Sequence, residues 1–227
     1  MPPLNRRLAA EALGTMLLVT AVVGSGIMAM RLSPGDVGLQ LLENSVATML
    51  ALAVLILVIG PVSGAHFNPV VSLADWWLRR RAGTGPGIAG VAWYAAAQTL
   101  GAVCGAILAN LMFDLPAVTW SEHERSAPNL WLGEVVATAG LILLIFALIR
   151  AGRASAVPAA VGAYIGAAYW FTSSTSFANP AVTVGRAFTD TFAGIAPASV
   201  PGFIAAQLIG GADGVGVVLW PLSLRSS

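Results

Sequence analysis

Two asparagines stand where an apolar chain has little use for a polar side chain. Asn68 opens NPVVSLAD (68–75) and Asn179 opens NPAVTVGR (179–186). Asparagine is a strong helix N-cap, and proline suits the first helical turn, where its missing N–H costs nothing. Each corner therefore starts a helix abruptly and leaves N–H groups with no partner inside the helix. Two such N-termini facing each other would put about +0.5 charge each at one place. With the two side-chain amides they would offer donors to one oxygen. A neutral solute that accepts hydrogen bonds is favoured there, while a cation or hydronium meets positive potential with no carboxylate to offset it. The plainer alternative is that each Asn-Pro only caps a re-entrant turn. A second copy in a matched position weighs against that.

Two carboxylates share this symmetry. Glu11 opens EALGT (11–15) and Glu134 opens EVVAT (134–138), both inside apolar runs. Ionisable groups at such depth are costly and mark function. They could relay protons, or accept hydrogen bonds from backbone N–H groups of a neighbouring loop and hold its carbonyls toward a pore. Their paired placement favours loop support. Gln98 could assist in the same way, or simply hydrogen-bond a neighbouring helix.

The elements that must position these groups are membrane helices. The chain of 227 residues is 57% hydrophobic and 9% charged, against roughly 25% charged in a soluble domain. A spanning helix needs about 20 mostly apolar residues. Six stretches qualify or nearly do: 8–30, 39–60, 88–112, 130–149, 157–173 and 200–220. Met1–Arg7 is too short for a cleaved leader, so the first stretch reads as a span. Residues 68–78 and 179–189 are half that length, and each reads as a short helix starting inside the membrane. The chain is thus expected to be an all-α membrane protein with six transmembrane helices and two re-entrant half-helices. Gly101, Gly105, Gly166 and Gly210 read as close helix crossings. Cys104, the single cysteine, reads as a small packing residue, and disulfide and cysteine-zinc chemistry are excluded.

The glutamates and the Asn-Pro corners recur in one order, so repeats of roughly 1–113 and 128–227 are expected, in one channel domain. Three spans separate their starts, which makes the repeat inverted. Broken helices in such repeats meet near the bilayer midplane. Irregular backbone survives there only when packed in protein or facing water. PVSGAH (61–66) and FTSSTSFA (171–178) are therefore candidate pore-lining strips, including Gly64, Ala65, Phe177 and Ala178. Every cation is an arginine. Arg6, Arg7, Arg79, Arg80, Arg81, Arg150, Arg153 and Arg225 fall on one side, and Arg31, Arg125 and Arg186 on the other. That asymmetry makes both termini cytoplasmic. A net charge of +1 implies no nucleic-acid surface.

SGAHFNPV (63–70), SFANPAV (176–182), the paired EALGT and EVVAT, and AQTLGAVCGA (97–106) together resemble the aquaporin and glycerol-facilitator family over nearly the whole chain. The resemblance implies a pore in each protomer, a homotetramer in a lipid bilayer, and His66 as a pore residue rather than a satisfied loop histidine. It also implies a second constriction outside the Asn-Pro corners, where most members carry an arginine directly after the second triplet. Here that position is Val182. Ungapped counting back from the corners puts Thr48, Ala167 and Ser176 at the other three positions. Val70 replaces the usual alanine of the first triplet, and Thr183 replaces the aspartate usual in glycerol facilitators. Four small side chains without a guanidinium would make a wide, weakly polar filter. That pattern resembles the bacterial branch found with arsenic-resistance genes, and implies neutral polyol-like solutes such as arsenite or methylarsenicals, with some water. A broad water and glycerol facilitator is the alternative.

Arg186 lies one helical turn beyond Val182, and residues four apart share a face. It could reach over a pore vestibule. The plainer reading has it snorkelling at the interface or pairing with Asp190. Asp75, its counterpart, would face the other vestibule or pair with Arg79. Neither a catalytic cluster nor a cofactor or metal site is implied, because His66 and His123 fall on opposite sides. An ion-coupled secondary transporter would need coupling-ion ligands, and only Glu11 and Glu134 are candidates.

Overall fold

The computed structural model describes residues 2–82 and 87–219. Arg225, counted above for orientation, lies outside them. Eight α-helices run in the order α1 (Leu4–Leu32), α2 (Val37–Ser63), α3 (Pro69–Arg79), α4 (Ile88–Met112), α5 (Pro128–Arg150), α6 (Val157–Phe171), α7 (Pro180–Gly185) and α8 (Val200–Leu219). Each half reads long, long, short, long. Among the described residues, six segments are long and apolar enough to cross a membrane.

Local chemistry explains the boundaries. Asp36 caps α2 by accepting from the Leu39 N–H at 2.9 Å. Proline occupies the first turn of α3, α5, α6 and α7, where a helix has no use for that N–H. α2 ends at Gly64, which takes a left-handed φ of 94°. α6 stops at Phe171 rather than 173, leaving the Thr-Ser run in a loop.

α7 is shorter than its expected 179–189. The chain passes at Arg186 into a single 3-10 turn, Arg186–Phe188. Carbonyls that would extend the helix go elsewhere: Ser121 N–H donates to Ala187 O at 3.1 Å and Thr119 N–H to Phe188 O at 3.3 Å. The loop between α4 and α5 thus captures the end of the half-helix.

α1 packs on α4, and α5 packs on α8. Both crossings are backbone-close. A Cβ on Gly101 would lie 2.2 Å from Ala12 O, and one on Gly210 would lie 2.4 Å from Val135 O. Cys104 is exposed on α4, so it is not the packing residue expected. The small neighbours Gly101 and Gly105 face α1 instead.

Arginines sit at both ends of the bundle. Arg31 at the end of α1 donates to Phe113 O at 2.6 Å, just beyond α4, and Arg125 donates to Gly194 O at 2.9 Å. At the opposite end Arg7 donates to Tyr94 OH at 2.7 Å.

Gly101→Val and Gly210→Val should each cost about 1–3 kcal/mol by overpacking. They should reduce the yield of monodisperse protein and lower its Tm in detergent. Gly60→Ala should be neutral or stabilising, because nothing lies within 4 Å of its added Cβ.

Candidate functional site

The loops before α3 and α7 fold alike. Ala65 and Phe67 take φ of 48° and 49°, and their counterparts Ser176 and Ala178 take 50° and 48°. A left-handed φ on a residue with a Cβ is sterically costly, so other contacts must hold it. Two buried carboxylates do so. Glu11 Oε1 accepts from Ser63 Oγ at 2.6 Å and His66 N–H at 3.0 Å. Its Oε2 accepts from Phe67 N–H and Gln98 Nε2, both at 2.7 Å. Glu134 accepts from Phe177 N–H at 2.8 Å and from Ala178 N–H and Gln207 Nε2 at 2.7 Å.

The amides of each loop therefore point at a carboxylate, and the carbonyls are left facing away from it. Those of Gly64, Ala65, His66, Ser176 and Phe177 accept no hydrogen bond from the described residues. Ala65, Ser176 and Phe177 are buried, where carbonyls need partners, and all five residues line one cavity of about 180 Å3. The partners must come from what fills it. The facing wall is apolar and built at helical spacing: Leu18 and Val22 of α1, Leu52 and Ile56 of α2, Leu141, Ile145 and Ile149 of α5, and Val157, Val161 and Ile165 of α6.

The two corners meet reciprocally. Asn68 Nδ2 donates to Ala178 O, and Asn179 Nδ2 donates to Phe67 O, both at 2.7 Å. Their Oδ1 atoms cap the helices, accepting from Val70 N–H at 2.9 Å and from Ala181 and Val182 N–H at 3.0 and 3.2 Å. Each Nδ2 carries a second hydrogen, and both asparagines line the cavity.

At one end of the cavity Asp75 pairs with Arg79 at 2.7 Å, and both line it. His66, also lining, meets Ser72 Oγ at 3.0 Å through Nδ1. At the other end sit Thr48, Ser176 and Val182. Ala167 is not with them. It is exposed on the outer face of α6. Tyr169, two residues on, turns inward and its OH donates to Thr48 Oγ1 at 3.2 Å. Two residues rotate a helix position by about 200°, so Ala167 and Tyr169 lie on opposite faces of α6. An aromatic ring, that of Tyr169, therefore lines the cavity beside Thr48.

Arg186 also departs from its plainer reading. It is 2% exposed and lines the same cavity as Val182. Its Nε donates to Ala193 O, and its guanidinium carbon lies 3.4 Å from the centre of the Phe177 ring. Asp190 is not its partner; that carboxylate accepts from Glu122 N–H at 3.0 Å. Arg125 sits 5.1 Å from the same ring. Burial pushes the Arg125 guanidinium below its ordinary range, with the Glu134 carboxylate partly opposing the shift. Among the described residues no carboxylate pairs with either arginine. Ser176 Oγ is buried without a partner. A guanidinium therefore lines the same cavity as Val182, one helical turn beyond it.

Sequence reasoning missed Tyr169, Gln207 and the Arg125 contact. Gln207 was within reach, because AQTLGAV (97–103) recurs as AQLIGGA (206–212). Its amide also donates to Thr183 Oγ1 at 2.9 Å, as that of Gln98 does to Ser72 Oγ at 3.2 Å.

Residues 2–176 match the major intrinsic protein family. The chain is 51% identical to the aquaglyceroporin AqpS of Rhizobium meliloti over 222 residues, which cover 96% of this chain and 91% of that one. It is 28% identical to a probable aquaporin, AqpM, of Archaeoglobus fulgidus, covering 85% and 86%. Among solved structures, the aquaglyceroporin from Plasmodium falciparum superposes with a TM-score of 0.71 at 21% identity, covering 95% and 96%.

Glu134→Ala would strand two buried N–H groups at about 1–3 kcal/mol each. The Tm in detergent should fall by several degrees, and solute flux should fall with it. Gln207→Ala, which removes one donor and strands no N–H, should cost less. Equal Tm values for Glu134→Ala and the parent would overturn the loop-support role.

Proposed function

The chain belongs to the major intrinsic protein family, and from that membership we propose a passive channel for small neutral solutes of polyol size. Its solutes would be glycerol, uncharged arsenite and methylarsenicals, with some water. The observation that carries this reading is the two-faced cavity: unpartnered carbonyls of both loops along one wall, apolar side chains along the other. A solute with hydroxyls on one side and no charge exchanges hydration water for these carbonyls and loses little on the apolar side. Arsenite at neutral pH is an uncharged trihydroxy molecule and fits the same description. The two Asn-Pro N-termini add positive potential and donors, which disfavours cations at mid-conduit.

We place the outer constriction at Thr48, Tyr169, Ser176, Val182 and Arg186. Losing the guanidinium at Val182 widens the path directly after the triplet. Arg186 restores a charge one turn farther out, where its buried position lets it hold solute oxygens and oppose cations. The arginine asymmetry puts both termini on the cytoplasmic side of the cell membrane, and four protomers form the assembly. An ion-coupled transporter is disfavoured because Glu11 and Glu134 already spend their oxygens on loop amides.

A liposome panel of water, glycerol, urea, arsenite and methylarsenicals tests the reading. Val182→Arg should lower glycerol and arsenite flux about tenfold, equivalent to about 1.4 kcal/mol of barrier, and spare water. Glycerol and arsenite flux unchanged by Val182→Arg would sink the wide-path argument. Arg186→Ala should raise cation leak and shift the ratio of neutral to charged arsenical flux. An unchanged ratio and no added leak would remove Arg186 from selectivity.

A further inference from the structure

A second groove, of about 510 Å3, opens between α3 and α8. It shares no lining residue with the conduit. Its walls are apolar, formed chiefly by Leu73, Trp76 and Trp77 of α3 and Leu208, Gly216 and Leu219 of α8, and among the described residues no charged side chain lines it. Gly216 leaves space, since a Cβ there would meet nothing within 4 Å. From Leu208 to Leu219 the groove runs eleven helical rises, about 16 Å. That is half of a hydrocarbon core of about 30 Å, the depth of one leaflet.

The rim at the end of α3 is basic. The Arg80 guanidinium carbon lies 3.3 Å from the Trp77 ring centre and 6.0 Å from that of Trp76, and one nitrogen donates to Trp77 O at 2.7 Å. Arg81 follows it in the same exposed turn. Arg79 is neutralised by Asp75. Among the described residues no carboxylate pairs with Arg80 or Arg81. The two tryptophans thus join an apolar slot one leaflet deep to an uncompensated pair of guanidiniums at headgroup level.

We propose that this groove holds an acyl chain of an anionic phospholipid whose phosphate is bound by Arg80 and Arg81. The chain lies along Gly216 between α3 and α8. The phosphate accepts from N–H groups of the Arg80 guanidinium, held in place by the Trp77 ring and carbonyl, and from Arg81 beside it. A zwitterionic lipid would fill the same slot but gain less from a rim without acid.

Native mass spectrometry of the full-length protein, with dioleoylphosphatidylglycerol or dioleoylphosphatidylcholine added separately, tests this. The parent should retain phosphatidylglycerol in preference. Arg80→Gln with Arg81→Gln should lower that preference, by roughly fivefold per arginine, with neutral-solute flux in liposomes unchanged as the check on folding. Gly216→Leu should weaken retention of both lipids. Arg153→Gln, on a different exposed loop, should change nothing. Equal retention of the two lipids by the parent would overturn the proposal. So would a preference that survives the double substitution, or one lost equally in Arg153→Gln. If Gly216→Leu lowers the oligomer's mass without touching lipid retention, a second copy covers the groove and the proposal fails.

Discussion

A backbone N–H inside a bilayer has no water to turn to, and leaving it unpaired costs as much as a good contact contributes. The structure depends on how four such groups, on His66, Phe67, Phe177 and Ala178, are settled. Two carboxylates at matched places in the repeat take them all. Once the amides are committed there, the loops hold their left-handed residues and the carbonyls are left for whatever passes. A charge buried in each half thus sets which side of a loop is wet.

The same solution is used twice, and the differences between the copies set up direction. His66 in one loop is replaced by Phe177 in the other. Asp75 at one end of the cavity is answered by Arg186 at the other. At the first end the charges cancel in an ion pair. At the second a guanidinium stays uncompensated, held by a carbonyl and an aromatic face. A charge in that position is costly unless polar groups or solute stay close to it. Its neighbours supply some of this, and the cavity supplies the rest.

Packing enforces the arrangement at long range. Glycines let α1 and α4, and again α5 and α8, approach to backbone distance. That closeness brings Gln98 to Glu11 and Gln207 to Glu134. A crossing loosened by one methyl would move the amides that hold each carboxylate, so the distant glycines and the loop geometry form one system.

The six spans, the two half-helices, the paired corners and the paired glutamates were legible in the residues alone. Hydrophobic length and proline position are local properties that a bilayer reads directly, and an internal repeat advertises itself. Gln207 was legible too, through the register of the repeat. Which face of α6 turns inward was not: the loop between Phe171 and Asn179 sets the helix phase, which leaves Ala167 exposed and turns Tyr169 toward the cavity. Nor was the place of Arg186, because its seat is made by Phe177, Ala193 and the loop that captures the end of α7. Those contacts join parts of the chain that no local pattern connects. The chain's order determined that two asparagine donors would meet where the half-helices begin, and only tertiary packing decided where the outer charge would stand.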